Sequence, residues 1–494
     1  MIEYNPNFAL KVLHVSPECS PLAKRGGLGD VVGSLPKALN EQSLDARVLM
    51  PAWSGVLETA RKMNVLNEVP LGQISIALNW RAWTATVYEA VIDGVTIYLL
   101  DQPELFYNPD IYPEDPEEDD ALPFIFLSFA SFELPKVAKW KPQFIHAHDW
   151  SVAAIPAALK WHKYYSKFST DYDTLFTIHN IAHQGLFQQS VLHGWGFDDE
   201  AFSTFNTETM EFYGQVNLMK GAIIACEGLT TVSPRYSWDI QLEEYGFGLD
   251  GVITTYRDKL HGILNGIDYD VWNPKTDKMI VSNYSKTNLR GKQVCREELL
   301  KMCKWKEDGR PILIFVGRLV EQKGIDIMLE VLESFIPDKV RVVIIGSGSD
   351  MYNRKVSSFE NENTSSVFSV QEFNEKAAHT AYAGGDILLM PSAFEPCGLS
   401  QLIAFKYGTI PVARATGGLA DTVIDADTSQ DGTGFIFSDF ATEELSMALE
   451  RALNAKKDAK RWSNIIKNAM SSDFSWDKSA KDYINVYNSI LTSD

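Results

Sequence analysis

Short apolar runs that end in Gly, Pro, Asn or Asp alternate along the chain with stretches whose apolar residues fall at helical spacing. This alternation predicts parallel strands joined by helices, an α/β architecture. In the first half, strands read at ALKVLHVS, ARVLMP, FIHAHD, TLFTIHN and LTTVS, and TATVYEAVIDGVTIYLL reads as a hairpin turning at Asp93 and Gly94. The second half restarts the pattern with PILIFVGRL, VRVVIIGSG, SSVFSV, DILLMPS, TIPVARATGG and TGFIFS. Between the halves LHGILNGIDYDVWNP, rich in Gly, Asn and Asp, sets a boundary near residues 262–268.

At 494 residues with 45% hydrophobic content the chain is long enough for two or three domains with large cores. A formal charge of −20 disfavours long-range attraction to nucleic acid or anionic membranes, so an anionic ligand has to be caught by a local cluster of cations. The N-terminal stretch MIEYNPNFALKVLHV has no basic segment followed by a long apolar run, and no later segment reaches the length of an uncharged membrane span. The expectation is a soluble, cytoplasmic protein, with a plastid location open to a processed chain. Cys19, Cys226, Cys295, Cys303 and Cys397 are odd in number and lack a CxxC pair, which argues against a disulfide framework and a structural zinc site.

Candidate chemistry gathers where strands give way to helices. In SPLAKRGGLGDVVGSLPKAL, the residues Val31, Val32, Leu35 and Leu39 follow Leu28 at helical spacing, so a helix begins at Gly27 or Leu28. Lys24, Gly26 and Gly27 therefore precede free backbone N–H groups and the positive end of a helix dipole, an arrangement that suits an anion and equally a tight turn. A similar pentapeptide, GGLAD, recurs at Gly417 to Asp421. FVGRLVEQKGID places Arg318 and Lys323 after a strand, where they suit a diphosphate or surface ion pairs. In LLMPSAFEPCGLSQLIAFKYG a strand is expected to end at Ser392 and a helix to start near Gly398, leaving Glu395 in the loop as an acceptor for sugar hydroxyls. Cys397 reads as a packed small residue.

FIHAHDWS and LFTIHNIAHQGLF supply His146, His148, Asp149, His179 and His183. A metal site, acid–base chemistry and hydrogen-bonded pocket walls all fit this set. Without a second carboxylate or a cysteine cluster the metal reading is the weakest. Asp149 and His179 read as pocket residues, His146 and His183 as structural. The acidic run NPDIYPEDPEEDD reads as a solvated loop.

Taken together, KRGGLGDVVGSLPKAL, HAHDW, IHNIAHQG, TTVSPRY, EYGFGLDG, GILNGIDYDVWNP, GRLVEQKGID, the run from YAGGDILLMPS to GGLADTV, and GTGFIF make the sequence resemble the bacterial glycogen synthase and plant starch synthase family of retaining glucosyltransferases. The likeness runs over nearly the whole chain. It implies a GT-B fold, two Rossmann-like domains facing each other across a deep cleft: residues 1–262 on the acceptor side, 263–476 on the nucleotide-sugar side, and a helix at 477–494 crossing back to the first domain. The implied reaction moves α-glucose from ADP-glucose to the non-reducing 4-hydroxyl of an α-1,4-glucan with retention, needing neither cofactor nor metal. The acceptor would be glycogen, starch or maltooligosaccharides. UDP-glucose as donor and a silent glucan-binding protein are the alternatives, and no oligomeric state follows.

By the same resemblance Lys24 contacts the donor diphosphate, with Glu18, Gly26, Gly27 and Asp30 beside it. Arg318 and Lys323 match the diphosphate-binding pair, and Glu395 the essential sugar-binding glutamate, with Cys397, Gly398 and Leu399 next to it. Asp149 and His179 match residues beside the transferred glucose, and Thr416, Gly417, Gly418 and Leu419 the loop whose amides hold the distal phosphate. Four positions depart from the family pattern. Arg25 adds a cation after Lys24, Ile403 stands where related transferases carry a second glutamate, and Glu372–Phe373 replace a Gly-Tyr pair, leaving Phe373 to stack on the base.

Overall fold

A computed structural model describes residues 9–107, 110–112, 121–372 and 374–492. The chain divides into two compact units. The first takes residues 1–232, 237–263 and 476–494; the second takes 264–475 together with the short segment 233–236.

The first unit is built on a nine-stranded sheet. Its parallel part runs Leu260–Gly262, Gly228–Thr231, Asp173–Ile178, Phe144–His148, Lys11–Val15, Asp45–Pro51, Val95–Asp101. Two antiparallel strands, Arg81–Ile92 and Leu66–Leu78, complete the edge. The hairpin turn falls at Asp93 (φ 49°) and Gly94 (φ 80°), both left-handed as its twist requires. The outer strand Leu66–Leu78 escapes the sequence pattern because its first half is exposed and carries Asn67, Glu68 and Pro70, an edge composition, with a register shift between Asn67 and Gly72. A small antiparallel sheet of Leu186–Phe187, Gln215–Asn217 and Glu211–Phe212 was likewise too short to read.

The interior of this unit follows from side-chain pattern. Leu122–Glu133, LPFIFLSFASFE, is apolar all round and buried all round. Gly27–Glu41 buries only Leu28, Val31, Val32, Leu35 and Leu39 and their small neighbours. Against that helix lies the last one, Trp476–Thr492, whose Trp476, Ala480, Tyr483, Val486, Tyr487 and Ile490 share a core cluster with Val12, Val31, Leu35 and Leu175.

The second unit has six parallel strands in the order Val367–Val370, Arg341–Ile345, Ile312–Val316, Ile387–Met390, Ile410–Arg414, Phe435–Phe437. Numbered along the chain, this is 3-2-1-4-5-6, and the parallel strands of the first unit begin with the same order. In both sheets the direction of winding reverses between strands 1 and 4, where open α/β sheets leave a crevice at the strand ends. The strand expected to run to Ser392 stops at Met390, before Pro391, which cannot donate to the ladder. The following helix begins at Ser400, because Gly398 turns through φ 72° first. No helix among the described residues is long and apolar enough to cross a membrane.

Candidate active site

The reversal points collect most of the expected site residues. In the first unit, strand 1, Lys11–Val15, leads toward the Lys24–Gly27 loop, and strand 4, Phe144–His148, delivers Asp149. Gly26 enters the helix in extended conformation without a side-chain cap of its own. The cap comes from elsewhere. Glu18, 2% exposed, accepts the Arg25 N–H at 2.6 Å and the Gly26 N–H at 3.0 Å on one carboxylate oxygen, and the Tyr112 hydroxyl at 3.0 Å on the other. Two amides that the sequence left open to an anion are therefore already held by a carboxylate of the chain. Lys24 pairs with Asp30 at 2.6 Å in a partly exposed contact of small expected strength. Arg25 pairs with Asp110, the one described member of the acidic run's first three residues.

Asp149 sits at φ 66° and ψ 177°, a region nearly reserved for glycine, with a backbone cost on the order of 1–3 kcal/mol. Its N–H is held by the Thr177 carbonyl at 2.9 Å. Burial pushes its carboxyl up to about 8, against the pull of the Asn180, His179 and Trp150 backbone N–H groups, and the charge of Glu18 adds to the rise. Its Oδ1 is buried with no hydrogen-bond partner. His179, just past the strand Asp173–Ile178, shares its Nε2 with His148 Nδ1 at 3.0 Å, and burial lowers its pKa to about 3, so the ring is neutral. His146 is fixed between Tyr487 and Thr177. His183 lies exposed on the loop beyond.

The donor atoms of His14, His146 and His148 all lie within 4.8 Å of one another, a spacing open to a metal. Five of their six ring nitrogens, however, are already engaged in hydrogen bonds with Thr177, Tyr487, His179 or each other. The set also contains no carboxylate or thiolate to offset a cation's charge.

In the second unit, strand 1, Ile312–Val316, delivers Arg318, which is exposed and has no ion-pair partner among the described residues. A single turn at Glu321–Lys323 then carries Lys323 back over the sheet end. Strand 4 delivers Glu395, 5% exposed, whose Oε2 accepts from Lys323 Nζ at 2.6 Å and from the Ser392 hydroxyl at 3.0 Å. The two loops are knitted together by Gln322, whose side chain donates to Phe394 O at 3.0 Å and whose carbonyl accepts the Ala393 N–H at 2.8 Å. Arg414 donates to the Ala393 carbonyl from the next strand. Ser392, Gln322 and Arg414 were not singled out in the sequence, since their role is to hold the Glu395 loop.

The Gly417–Gly418 pair begins a short helix, Gly417–Thr422, after strand 5, whereas the similar glycines of the first unit follow strand 1. The echo between GGLGD and GGLAD is thus not one position repeated. Gly418 N–H donates to Glu395 O at 3.0 Å. A Cβ on Gly417, which has φ 45°, would meet Glu395 O at 2.0 Å, and one on Gly418 would meet Cys397 O at 2.1 Å. Glycine is required here because two backbones touch. Gly418→Ala is accordingly expected to displace the Glu395 loop and lower kcat about 100-fold. A steady-state transfer assay beside a circular dichroism spectrum checks this, and a parent-like kcat would show that the loop is held by its other contacts.

Cys397 is buried and its thiol is pushed up to about 12, so it is no thiolate nucleophile. Gly398 and Leu399 complete the bend before the helix, with Gln401 donating to the Cys397 and Gly398 carbonyls at 3.0 and 2.7 Å. Thr416, buried, is the residue before the Gly417 helix, and Leu419 packs in the core. Phe373 lies outside the described residues.

Residues 11–255 match the family model described as starch synthase catalytic domain, and residues 301–469 match glycosyl transferases group 1. A glycogen synthase 2 of Geobacter metallireducens is 39% identical over 485 residues, covering 97% of this chain and 98% of its own. The chain belongs to the glycogen and starch synthase family. A glycogen synthase of Desulforamulus reducens gives the same identity over 98% of this chain and 99% of its own. Among solved structures of the family, the catalytic domain of starch synthase IV from Arabidopsis thaliana, bound to ADP and acarbose, superposes with a TM-score of 0.89 at 32% identity, covering 98% of this chain and all of that one. A sucrose-phosphate synthase from Thermosynechococcus elongatus shares the fold at a TM-score of 0.61 and 16% identity, over 98% of this chain and 100% of its own. As a member of the glycogen and starch synthase family the chain is a glycosyltransferase of the GT-B class.

Proposed function

We propose that this chain extends an α-1,4-glucan by transferring glucose, with retention, from ADP-glucose to the non-reducing 4-hydroxyl. The observation that carries the reading is the second unit's reversal point, where Arg318, Lys323 and Glu395 leave strands 1 and 4 and the Gly417–Gly418 backbone touches the Glu395 loop. Exposed and half-buried cations there suit the charge that builds on a departing diphosphate, and a buried, positioned carboxylate suits sugar hydroxyls.

Arg318 and Lys323 are assigned to the diphosphate, Glu395 to the glucose, and the backbone of Thr416, Gly417, Gly418 and Leu419 to the distal phosphate. In the first unit Lys24 is assigned to the diphosphate, Asp149 and His179 to the transferred sugar. The orphan Oδ1 of Asp149 supports that assignment, because a sugar hydroxyl would complete it. Glu18, expected beside Lys24, is assigned to holding the Arg25 and Gly26 amides of that loop in shape. No metal enters the proposed chemistry, in which the leaving diphosphate accepts the acceptor's proton.

Release of nucleotide from ADP-glucose and UDP-glucose, measured side by side with and without glycogen, tests the reading. Glycogen-dependent release of ADP is expected. Preference for UDP would keep the transfer and reassign the donor, pointing to the QEFN segment around Phe373, while release from neither donor would overturn the proposal.

A further inference from the structure

One buried group in the first unit has no role in the assignments above. His14 lies in the middle of an apolar strand, fully buried, with Nδ1 3.0 Å from His148 Nε2. His148 in turn places Nδ1 3.0 Å from His179 Nε2. Three imidazoles thus form one line from the sheet interior to the candidate site. The topology makes this possible. His14 pairs in register with His146 on the neighbouring strand, and His148 with Thr177 on the next, so three adjacent parallel strands end side by side.

We propose that His14 and His148 are positioning residues that hold His179 as a neutral ring with Nδ1–H turned outward as a hydrogen-bond donor. That the transferred sugar is the acceptor of this bond rests on the glucosyl-transfer reading above. A line of neutral imidazoles has only two proton orders, because each ring carries one N–H and one bare nitrogen. In the first, His14 Nδ1–H donates to His148, His148 Nδ1–H donates to His179 Nε2, and His179 keeps its proton on Nδ1. In the second every bond runs the other way and His14 must carry its proton on Nε2. That nitrogen is buried and has no hydrogen-bond partner. An orphaned buried N–H is rarer and less tolerable than a bare lone pair, so the first order is favoured.

The surroundings keep the line neutral. Burial lowers His14 and His179 to about 3 and His148 well below its ordinary value. His146, stacked 4.0 Å from His148, has both nitrogens committed to Thr177 and Tyr487 and does not branch the line. Besides burial, the neighbouring imidazoles lower His148, so the line stays neutral, fixes a tautomer and does not relay a proton.

Solid-state nitrogen-15 spectra of the full-length chain, labelled at histidine, test this directly, with His179→Asn assigning the His179 signals by their loss. The expected result is a protonated Nδ1 and a bare Nε2 on His179; the opposite assignment overturns the proposal. A second pair of variants separates positioning from packing. His14→Asn keeps an N–H near the Nδ1 position, whereas His14→Leu removes it. His14→Leu is expected to return His179 to a mixture of tautomers and to lower kcat about ten-fold, with KM for the nucleotide sugar unchanged. His14→Asn is expected to restore both. Equal losses in the two variants with the His179 spectrum unmoved would reduce His14 to packing and overturn the proposal. The spectra need no turnover, so a chain inactive with both donors yet showing the expected tautomer would sink the transferase reading and leave this one standing.

Discussion

Glu395→Gln is expected to cut kcat on the order of 1,000-fold while the fold and the binding of nucleotide persist. Glutamine keeps the side-chain volume and can still meet Ser392, so the loop loses no packing. What it loses is the charge that faces Lys323 at 2.6 Å and the second strong acceptor for sugar hydroxyls. The partner pays little in isolation, because Lys323 is 18% exposed and reaches water. Glu395→Ala should be worse for stability than Glu395→Gln, since it opens a gap beside Ser392 and Phe394. Single-turnover transfer together with nucleotide affinity by calorimetry makes the distinction. A fall in affinity matching the fall in rate would assign Glu395 to ground-state binding, and an unchanged kcat would remove it from the site.

The second large effect has opposite signs in activity and stability. Asp149→Asn should lower kcat about 100-fold and raise thermal stability at neutral and alkaline pH. In the folded chain the Asp149 carboxyl keeps its proton up to about pH 8, whereas in the unfolded chain it ionises at its ordinary value near 3.8. Between those values the folded state binds more protons than the unfolded state, so stability declines as pH rises through the window and levels off above it. Asparagine does not titrate, so the variant's advantage should grow from about pH 4 to about pH 8, to at most about 6 kcal/mol. Both side chains share the backbone cost at φ 66°, which therefore cancels in the comparison. Urea midpoints of the two proteins at pH 5, 7 and 9 provide the check. A constant gap across the series would mean that Asp149 ionises normally in the folded chain.

The residues legible in the sequence are those governed by local rules. All six strands of the second unit, the five parallel strands named for the first and the Asp93–Gly94 turn sit where alternation and turn chemistry put them. The start of Gly27–Glu41 followed from apolar spacing alone. Features set by distant partners were not legible. Glu18 looks like any loop carboxylate until the fold lays it on the Arg25 and Gly26 amides. Glycine at 417 could mean a turn, a cap or flexibility, and only the approach of Glu395 O selects close backbone contact. The edge strand Leu66–Leu78 was hidden by the polar composition that protects an edge. For His14 a signal did exist: a single polar residue inside KVLHV, on a strand buried on both faces, demands a partner.

The closing helix Trp476–Thr492 gives the chain an order of assembly. Val31 and Leu35 need this helix to complete their cluster, and His146 needs the Tyr487 hydroxyl. When residue 263 leaves the ribosome the rest of the first unit is made, but more than two hundred residues are still to come before its last layer exists. At ordinary translation rates that interval is roughly 10–40 s, with an apolar stripe open to solvent throughout. Such a stripe is expected to draw holding factors to the nascent protein until its final turn emerges, and a nonsense codon in the last twenty positions would leave a transferase with both its sheets and an unfinished first half.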